Sequence, residues 1–285
     1  MDEGSVEFHD TRYTIDFLPT AKPHHSLRHM KIENLNVKTP KAQIAMLHGL
    51  HESLNIYWEF ATILAERGYI IHLIDFMGWG GSGGTFFEVT AQENQSDILH
   101  LLEHMDPELP AFIYAHSMGT MITTPLLMNN PTLNISGYVM SAPAMEMLPA
   151  RTPGMKFLAL YMLPAMGNFV MQSGISFDTV TVRRRVLNKF FTDRYNWQAI
   201  GPKQGHMLAW LLYSFKYNTK YLKHPILMLR GGRDKVVDNE AAKKQFEEYE
   251  CDKTQIEYDY AMHELHEDAK QDVLDDVDKW IDGRL

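Results

Sequence analysis

The segment Ala115-His116-Ser117-Met118-Gly119 sets a serine between small residues two positions before and two after it. A serine hydroxyl is a weak nucleophile until a base takes its proton and a tight turn exposes it. Small residues at this spacing suit a sharp strand-to-helix turn, whose backbone is strained and closely packed. Alone, the pattern is common by chance. Two further residues give it weight: Asp234, in Gly231-Gly232-Arg233-Asp234-Lys235-Val236-Val237, and His263, in Ala261-Met262-His263. Together these groups suffice for acyl transfer. The imidazole moves the serine proton, and the carboxylate fixes its tautomer and stabilises its cation. The tetrahedral intermediate carries an oxyanion, and losing one of its hydrogen-bond donors costs about 3 kcal/mol. The N–H of Met118, after the serine at a helix start, is one expected donor. The N–H of Leu50, in His48-Gly49-Leu50, is the other, with His51 the second choice.

Neighbouring groups have plainer readings. Asp238 suits the N-cap of the following helix, and His266 the start of the last helix. His48 reads as a structural hydrogen-bonding residue, His116 as lining of the elbow, and Glu52 and Ser53 as supports of the Leu50 loop. The string His263-Glu264-Leu265-His266 has one residue too few between its histidines for a zinc-protease motif. His24, His25 and His29 form a local cluster. With no cysteine and no acid at ligand spacing, it reads as a solvated loop rather than a metal site.

Positioning these residues requires regular elements, and the chain supplies them. Val6–Phe8 and Tyr13–Phe17 alternate in strand fashion. Apolar runs at Ile44–Leu47, Tyr69–Ile74, Ala111–Tyr114 and Gly137–Met140 predict buried strands. Between them lie helical patterns: Ile56, Phe60, Ile63 and Leu64, ended by Gly68; a capping box at Thr90 and Glu93 ahead of Ile98, Leu101, Leu102 and Met105; and a helix from Met118. Asp75 opens a glycine-dense turn with Ser82. Its spacing fits neither dinucleotide nor phosphate-loop fingerprints. The rhythm resumes at Ile226–Leu229, a helix over Glu240–Phe246, a strand over Gln255–Tyr260, and a last helix with Val273, Val277, Trp280 and Ile281 inward. Apolar strands alternating with helices predict an α/β fold with a mostly parallel sheet flanked by helices. Ser117, Asp234 and His263 each follow a strand's carboxyl end, where ligand chemistry collects in such sheets.

Residues 144–218 break the alternation and show no clear strand, so the expectation is a single domain, 1–285, with a helical cap inserted at about 144–218. Its Met147, Leu148, Met155, Phe157, Met162, Met166 and Phe169 are too apolar for an exposed segment. Flexible thioethers suit a lid over an acyl chain, and such a lid can touch a membrane surface. Packing against itself or another subunit is the plainer reading. Arg183-Arg184-Arg185 reads as a solvated helix face.

With 27 Lys+Arg against 36 Asp+Glu, the net charge is −9, which argues against nucleic acid as a partner. A 45% hydrophobic composition excludes wholesale disorder. Cys251 stands alone and forms no internal disulfide. The start Met1-Asp2-Glu3-Gly4 does not read as a signal or transit peptide, and Phe157–Met171, broken by Pro164, Gly167 and Asn168, is too short to span a bilayer. The expectation is a soluble, cytoplasmic chain with peripheral membrane contact through the cap, and protein partners unspecified.

Taken together, Leu47-His48-Gly49-Leu50-x-Glu52-Ser53, Asp75-x-x-Gly78-x-Gly80-x-Ser82-x-Gly84, the Ser117 elbow, Gly231-x-x-Asp234-x-x-Val237 and His263-Glu264-Leu265-His266-Glu267 resemble the α/β-hydrolase superfamily. Within it the chain looks like the monoacylglycerol lipase and lysophospholipase group of serine hydrolases. The resemblance runs from about residue 42 to 268 and implies a serine ester hydrolase acting on a lipid such as a monoacylglycerol or lysophospholipid, with no metal or other cofactor. Four residues depart from the family pattern: Ala115 for glycine, Trp79 for histidine, Thr120 for a common second glycine, and Pro125 inside the helix behind the serine, where it is expected to kink the helix. A short-chain carboxylesterase, a thioesterase, an N-terminal peptidase and a non-catalytic hydrolase-like subunit are the alternatives. Dehalogenase and epoxide hydrolase chemistry is set aside, since those relatives use aspartate as nucleophile.

Overall fold

The computed structural model describes residues 4–20, 22, 24–85, 89–146, 171–172, 175–196, 199–214 and 219–285. The apolar runs become strands β4 (Ala42–Leu47), β5 (Tyr69–Ile74), β6 (Ala111–His116), β7 (Gly137–Ser141) and β10 (Ile226–Gly231). Every residue of β4, β7 and β10 is buried, as expected of strands covered on both faces. The N-terminal alternation forms β1 (Gly4–Phe8), β2 (Thr11–Pro19) and β3 (Ser26–Asn34), and the last strand is β11 (Lys253–Tyr258). All nine join one sheet in the order β1-β2-β3-β5-β4-β6-β7-β10-β11. The first four pair antiparallel and the rest run parallel.

Helices α1 (Trp58–Glu66), α2 (Ala91–His104), α3 (Met118–Asn129), α6 (Asn239–Glu248), α7 (Leu265–Asp268) and α8 (Lys270–Asp282) flank it. Thr90 and Glu93 form the capping box of α2, and Asp238 accepts from the N–H groups of Glu240 and Ala241 at the head of α6. Val273, Val277, Trp280 and Ile281 bury the inner face of α8. Within the insertion lie α4 (Arg184–Thr192), α5 (Pro202–Ser214) and a two-residue pairing of β8 (Met171–Gln172) with β9 (Ala199–Ile200). That pairing is too short to leave a sequence pattern. The apolar residues expected to form a lid, Met147 to Phe169, lie outside the described residues.

Two expectations are corrected. The last strand is Lys253–Tyr258 rather than Gln255–Tyr260, because Gly232 packs against the backbone of Asp259 and the chain turns there. His29 is not in a solvated loop: it lies on β3, fully buried, with Asp16 and His72 on its ring nitrogens. The arginine run is the solvated face expected, since all three residues are exposed. From that face Arg183 donates to the Asp268 carbonyl and Arg185 reaches Glu59 and Glu267. Pro125 sits within α3, which runs unbroken from Met118 to Asn129. Proline removes the donor to the Met121 carbonyl, but every residue from Met118 to Thr124 is buried, so tertiary packing sustains the helix.

Candidate active site

Parallel register aligns the strand ends. Leu47 pairs with Ala115, His116 with Ser141, Leu229 with Ser141, and Gly231 with Tyr258. The loops after β4, β6, β10 and β11 therefore emerge along one edge of the sheet. Ser117 occupies the turn from β6 to α3 with φ of 47°, a left-handed conformation rare outside glycine. Holding it there needs close packing beneath. A Cβ on Gly119 would lie 2.9 Å from the Leu47 carbonyl oxygen and 3.0 Å from that of His48, so residue 119 has no room for a side chain. Ala115 is fully buried in β6. Thr120, at a position where glycine is common in the resembling family, uses its hydroxyl to donate to the Ser117 carbonyl at 2.6 Å and to accept from the Ala144 N–H at 3.2 Å.

Asp234 follows β10. One of its oxygens accepts from the N–H groups of Val236 and Val237, at 2.7 and 3.1 Å, and the other lies 2.7 Å from His263 Nδ1. His263 Nε2 lies 2.8 Å from Ser117 Oγ. The structure thus brings together the serine, imidazole and carboxylate expected from the sequence, all buried. Burial opposes a charge on His263, but the Asp234 carboxylate outweighs it and holds the imidazole above the usual histidine range. Asp234 is pushed up by burial and pulled below its usual value by the same partner, with two backbone N–H groups helping.

A small cavity of about 20 Å³, enough for one water, opens on Ser117. Leu50, His51 and Glu52 line one side, and Ile175, Val180 and Phe190 of the insertion roof it. Leu50 is therefore at the serine, in the loop after β4, and Met118 begins α3. His48 bridges that loop to the next strand end, accepting from the Phe76 N–H at 3.1 Å. His116 is buried against Ser141, and its ring lies 4.9 Å from that of His263. Desolvation holds it down at about 4, hence neutral.

Glu52 supports the Leu50 loop as expected: its Oε2 accepts from the Gly49 N–H at 2.6 Å and from the Tyr57 hydroxyl at 2.5 Å. Ser53 instead donates to Asp193 in the insertion, at 2.6 Å. Two partners were invisible in the sequence. Glu264, fully enclosed, faces Glu52. Desolvation, reinforced for Glu52 by Glu264, raises both carboxyls to about 7. Arg28 is the other. Its buried guanidinium reaches Asp75 at 3.1 Å and Asn55 at 3.0 Å, while Asp75 also accepts from the Leu54 and Gly81 N–H groups. No local spacing links Arg28 to Asp75, because antiparallel pairing of β3 with β5 makes the connection. The glycine-dense turn is built around this carboxylate: a Cβ on Gly80, whose φ is +54°, would meet the Asp75 carboxyl carbon at 2.1 Å. Ser82 closes the turn, donating to the Asp75 carbonyl.

The sheet order, the left-handed serine between β6 and α3, and the residues at the strand ends fit an α/β-hydrolase of the serine type, the class that the family match below shows. Residues 38–270 match the model of one family within it, described as "Serine aminopeptidase, S33" (Hydrolase_4), and the chain belongs to that family. It is similar to the monoglyceride lipases of Rattus norvegicus, 27% identical over 87% of this chain and 84% of that one, and Mus musculus, 28% identical over the same shares. Among solved structures, a soluble variant of the Saccharomyces cerevisiae monoglyceride lipase superposes with a TM-score of 0.83 at 17% identity, covering 96% of this chain and 97% of that one. The Paleococcus ferrophilus monoacylglycerol lipase gives 0.80 at 23% identity, covering 91% and 99%. Among the described residues, no helix is long and apolar enough to cross a membrane.

Proposed function

We propose that this chain hydrolyses the carboxylic ester of a single-chain lipid, such as a monoacylglycerol or lysophospholipid, through an acyl-enzyme. Ser117 Oγ attacks the ester carbonyl carbon as its proton passes to His263 Nε2. Asp234 holds the imidazole through Nδ1 and balances the imidazolium charge. The N–H groups of Met118 and Leu50 hold the oxyanion. Collapse breaks the bond to the alcohol, which leaves with the proton from His263. Water then repeats the sequence on the acyl-serine and frees the fatty acid. No metal or other cofactor takes part.

The observation that carries this reading is the row from Asp234 through His263 to Ser117, with contacts of 2.7 and 2.8 Å. The lipid substrate is supported by the relatives named monoglyceride lipase and by the apolar roof of Ile175, Val180 and Phe190 over the serine. We further read the chain as one domain with residues 144–218 as its cap, which admits acyl chains and touches the membrane surface from which they come. The family description favours one second reading, release of N-terminal residues from peptides by the same three groups.

A fluorophosphonate probe and a substrate panel test both. Labelling is expected at Ser117 and abolished in Ser117→Ala, with monoacylglycerol cleaved faster than short p-nitrophenyl esters or aminoacyl p-nitroanilides. An unlabelled chain overturns the mechanism. Preference for the anilides overturns the lipid substrate.

A further inference from the structure

The histidines near the N-terminus regroup in the fold. β2 and β3 pair with Asp16 directly opposite His29, so both side chains share one face of the sheet. His29 in turn faces Ile74 of β5, which puts His72, two residues earlier, on the same face. The last residue of α2, His104, arrives beside them. Asp16 Oδ1 lies 2.6 Å from His29 Nδ1, and His29 Nε2 lies 3.1 Å from His72 Nδ1. The His104 ring stands edge-on to that of His29, centroids 5.3 Å apart. One ligand atom each from Asp16, His29 and His104 falls within 4.8 Å of the others.

We propose that Asp16, His29 and His104 bind a divalent transition-metal ion of the zinc class. Two imidazoles and a carboxylate are a donor set that suits zinc, with a fourth position left for water. The ring of His29 is fully buried, and His72 braces its Nε2. That bracing is what metal-ligating histidines require of the nitrogen turned away from the ion, and it leaves Nδ1 as the ligand. Asp16 and His104 are open to solvent, which gives the ion a way in. The carbonyl end of α2 adds negative potential beside His104. A tetrahedral ion about 2.1 Å from each donor holds them about 3.4 Å apart, so Asp16 Oδ1, now 2.6 Å from His29 Nδ1, draws back, and the exposed His104 side chain adjusts from a separation of at most 4.8 Å. The ion replaces the proton between His29 and Asp16, which passes to solvent. Lys31, two residues along on the same face, opposes a cation, but its ammonium is held 3.0 Å from Glu33. Bound metal ties β2, β3 and α2 together at a place remote from Ser117 in the chain.

The test is a zinc titration of the tag-free chain, stripped with chelator, against a chromophoric zinc indicator, followed by thermal melting. One zinc per chain and a raised melting temperature are expected. His104→Ala and Asp16→Asn, each checked for folding by circular dichroism, should lower affinity at least tenfold and abolish the shift. His116, His263 and Glu264 form a second group within 4.8 Å, so the titration is repeated on His263→Ala, which should keep its zinc. The proposal is overturned if the native chain binds zinc no more tightly than His104→Ala, or if the ion survives in His104→Ala and is lost in His263→Ala.

Discussion

At the scale of single residues, the buried carboxylates set the behaviour of the site. Asp234 raises the basicity of His263, and the proposed base works only when neutral. The expected kcat/KM therefore climbs with pH, with a midpoint above the ordinary histidine value of about 6.5. Asp234→Asn should move that midpoint down and lower kcat about 10⁴-fold, both read from a pH–rate profile. Glu52 and Glu264, raised to about 7, act on stability. A carboxyl whose native value exceeds its unfolded value of about 4.5 stabilises fully below 4.5, and that contribution fades as pH rises through about 7. Glu264→Gln carries no such loss. Its melting temperature relative to the native chain should improve between pH 5 and pH 8, by about 1–3 kcal/mol in stability. No improvement would mean that burial does not raise Glu264 in the folded chain.

At the scale of elements, the turn between β6 and α3 explains why so much of the site was readable in advance. Small residues around Ser117, an aspartate past β10 and a histidine past β11 are local patterns, each beside its own strand. Glycine at 119 is forced by two backbone oxygens within 3.0 Å of a would-be Cβ. Gly119→Ala should therefore cost about 1–3 kcal/mol and lower kcat, because the serine rides on that turn. Asp238→Ala is the contrasting case. It removes the α6 cap, with an expected loss of about 1 kcal/mol in denaturant unfolding and unchanged esterase activity. Glu264, Arg28 and the partners of His29 were not readable. Their meaning depends on register and on segments up to hundreds of residues apart, and a pairing register leaves no mark in either strand alone.

At the scale of the molecule, the Arg28–Asp75 pair joins three regions. Asp75 holds the turn after β5 and the start of the Leu54 segment, while Arg28 lies on β3 with its guanidinium 4.7 Å from the Tyr195 ring centroid in the insertion. Removing one member of a buried pair leaves an uncompensated charge and costs about 3–5 kcal/mol. Arg28→Ala should lose stability on that scale in urea unfolding, and activity with it, since the Leu50 loop precedes Leu54. Overall architecture was legible because alternating apolar strands and helices admit few arrangements. The insertion's own elements were not, since its partners in the main body, such as Ser53 for Asp193 and Asp268 for Thr181 and Arg183, lie far away in the sequence.

Asp268 accepts from the Thr181 hydroxyl, at 2.5 Å, and from the Met262 N–H, at 2.9 Å, while the Glu264 N–H donates to the Val180 carbonyl. The short stretch that carries His263 is thus pinned on both sides to residues 180–181, of which Val180 roofs the serine. If the insertion is the proposed lid, roof and machinery share a fastening: whatever lifts it also tugs the imidazole, so admission of a guest and readiness to react become one mechanical event.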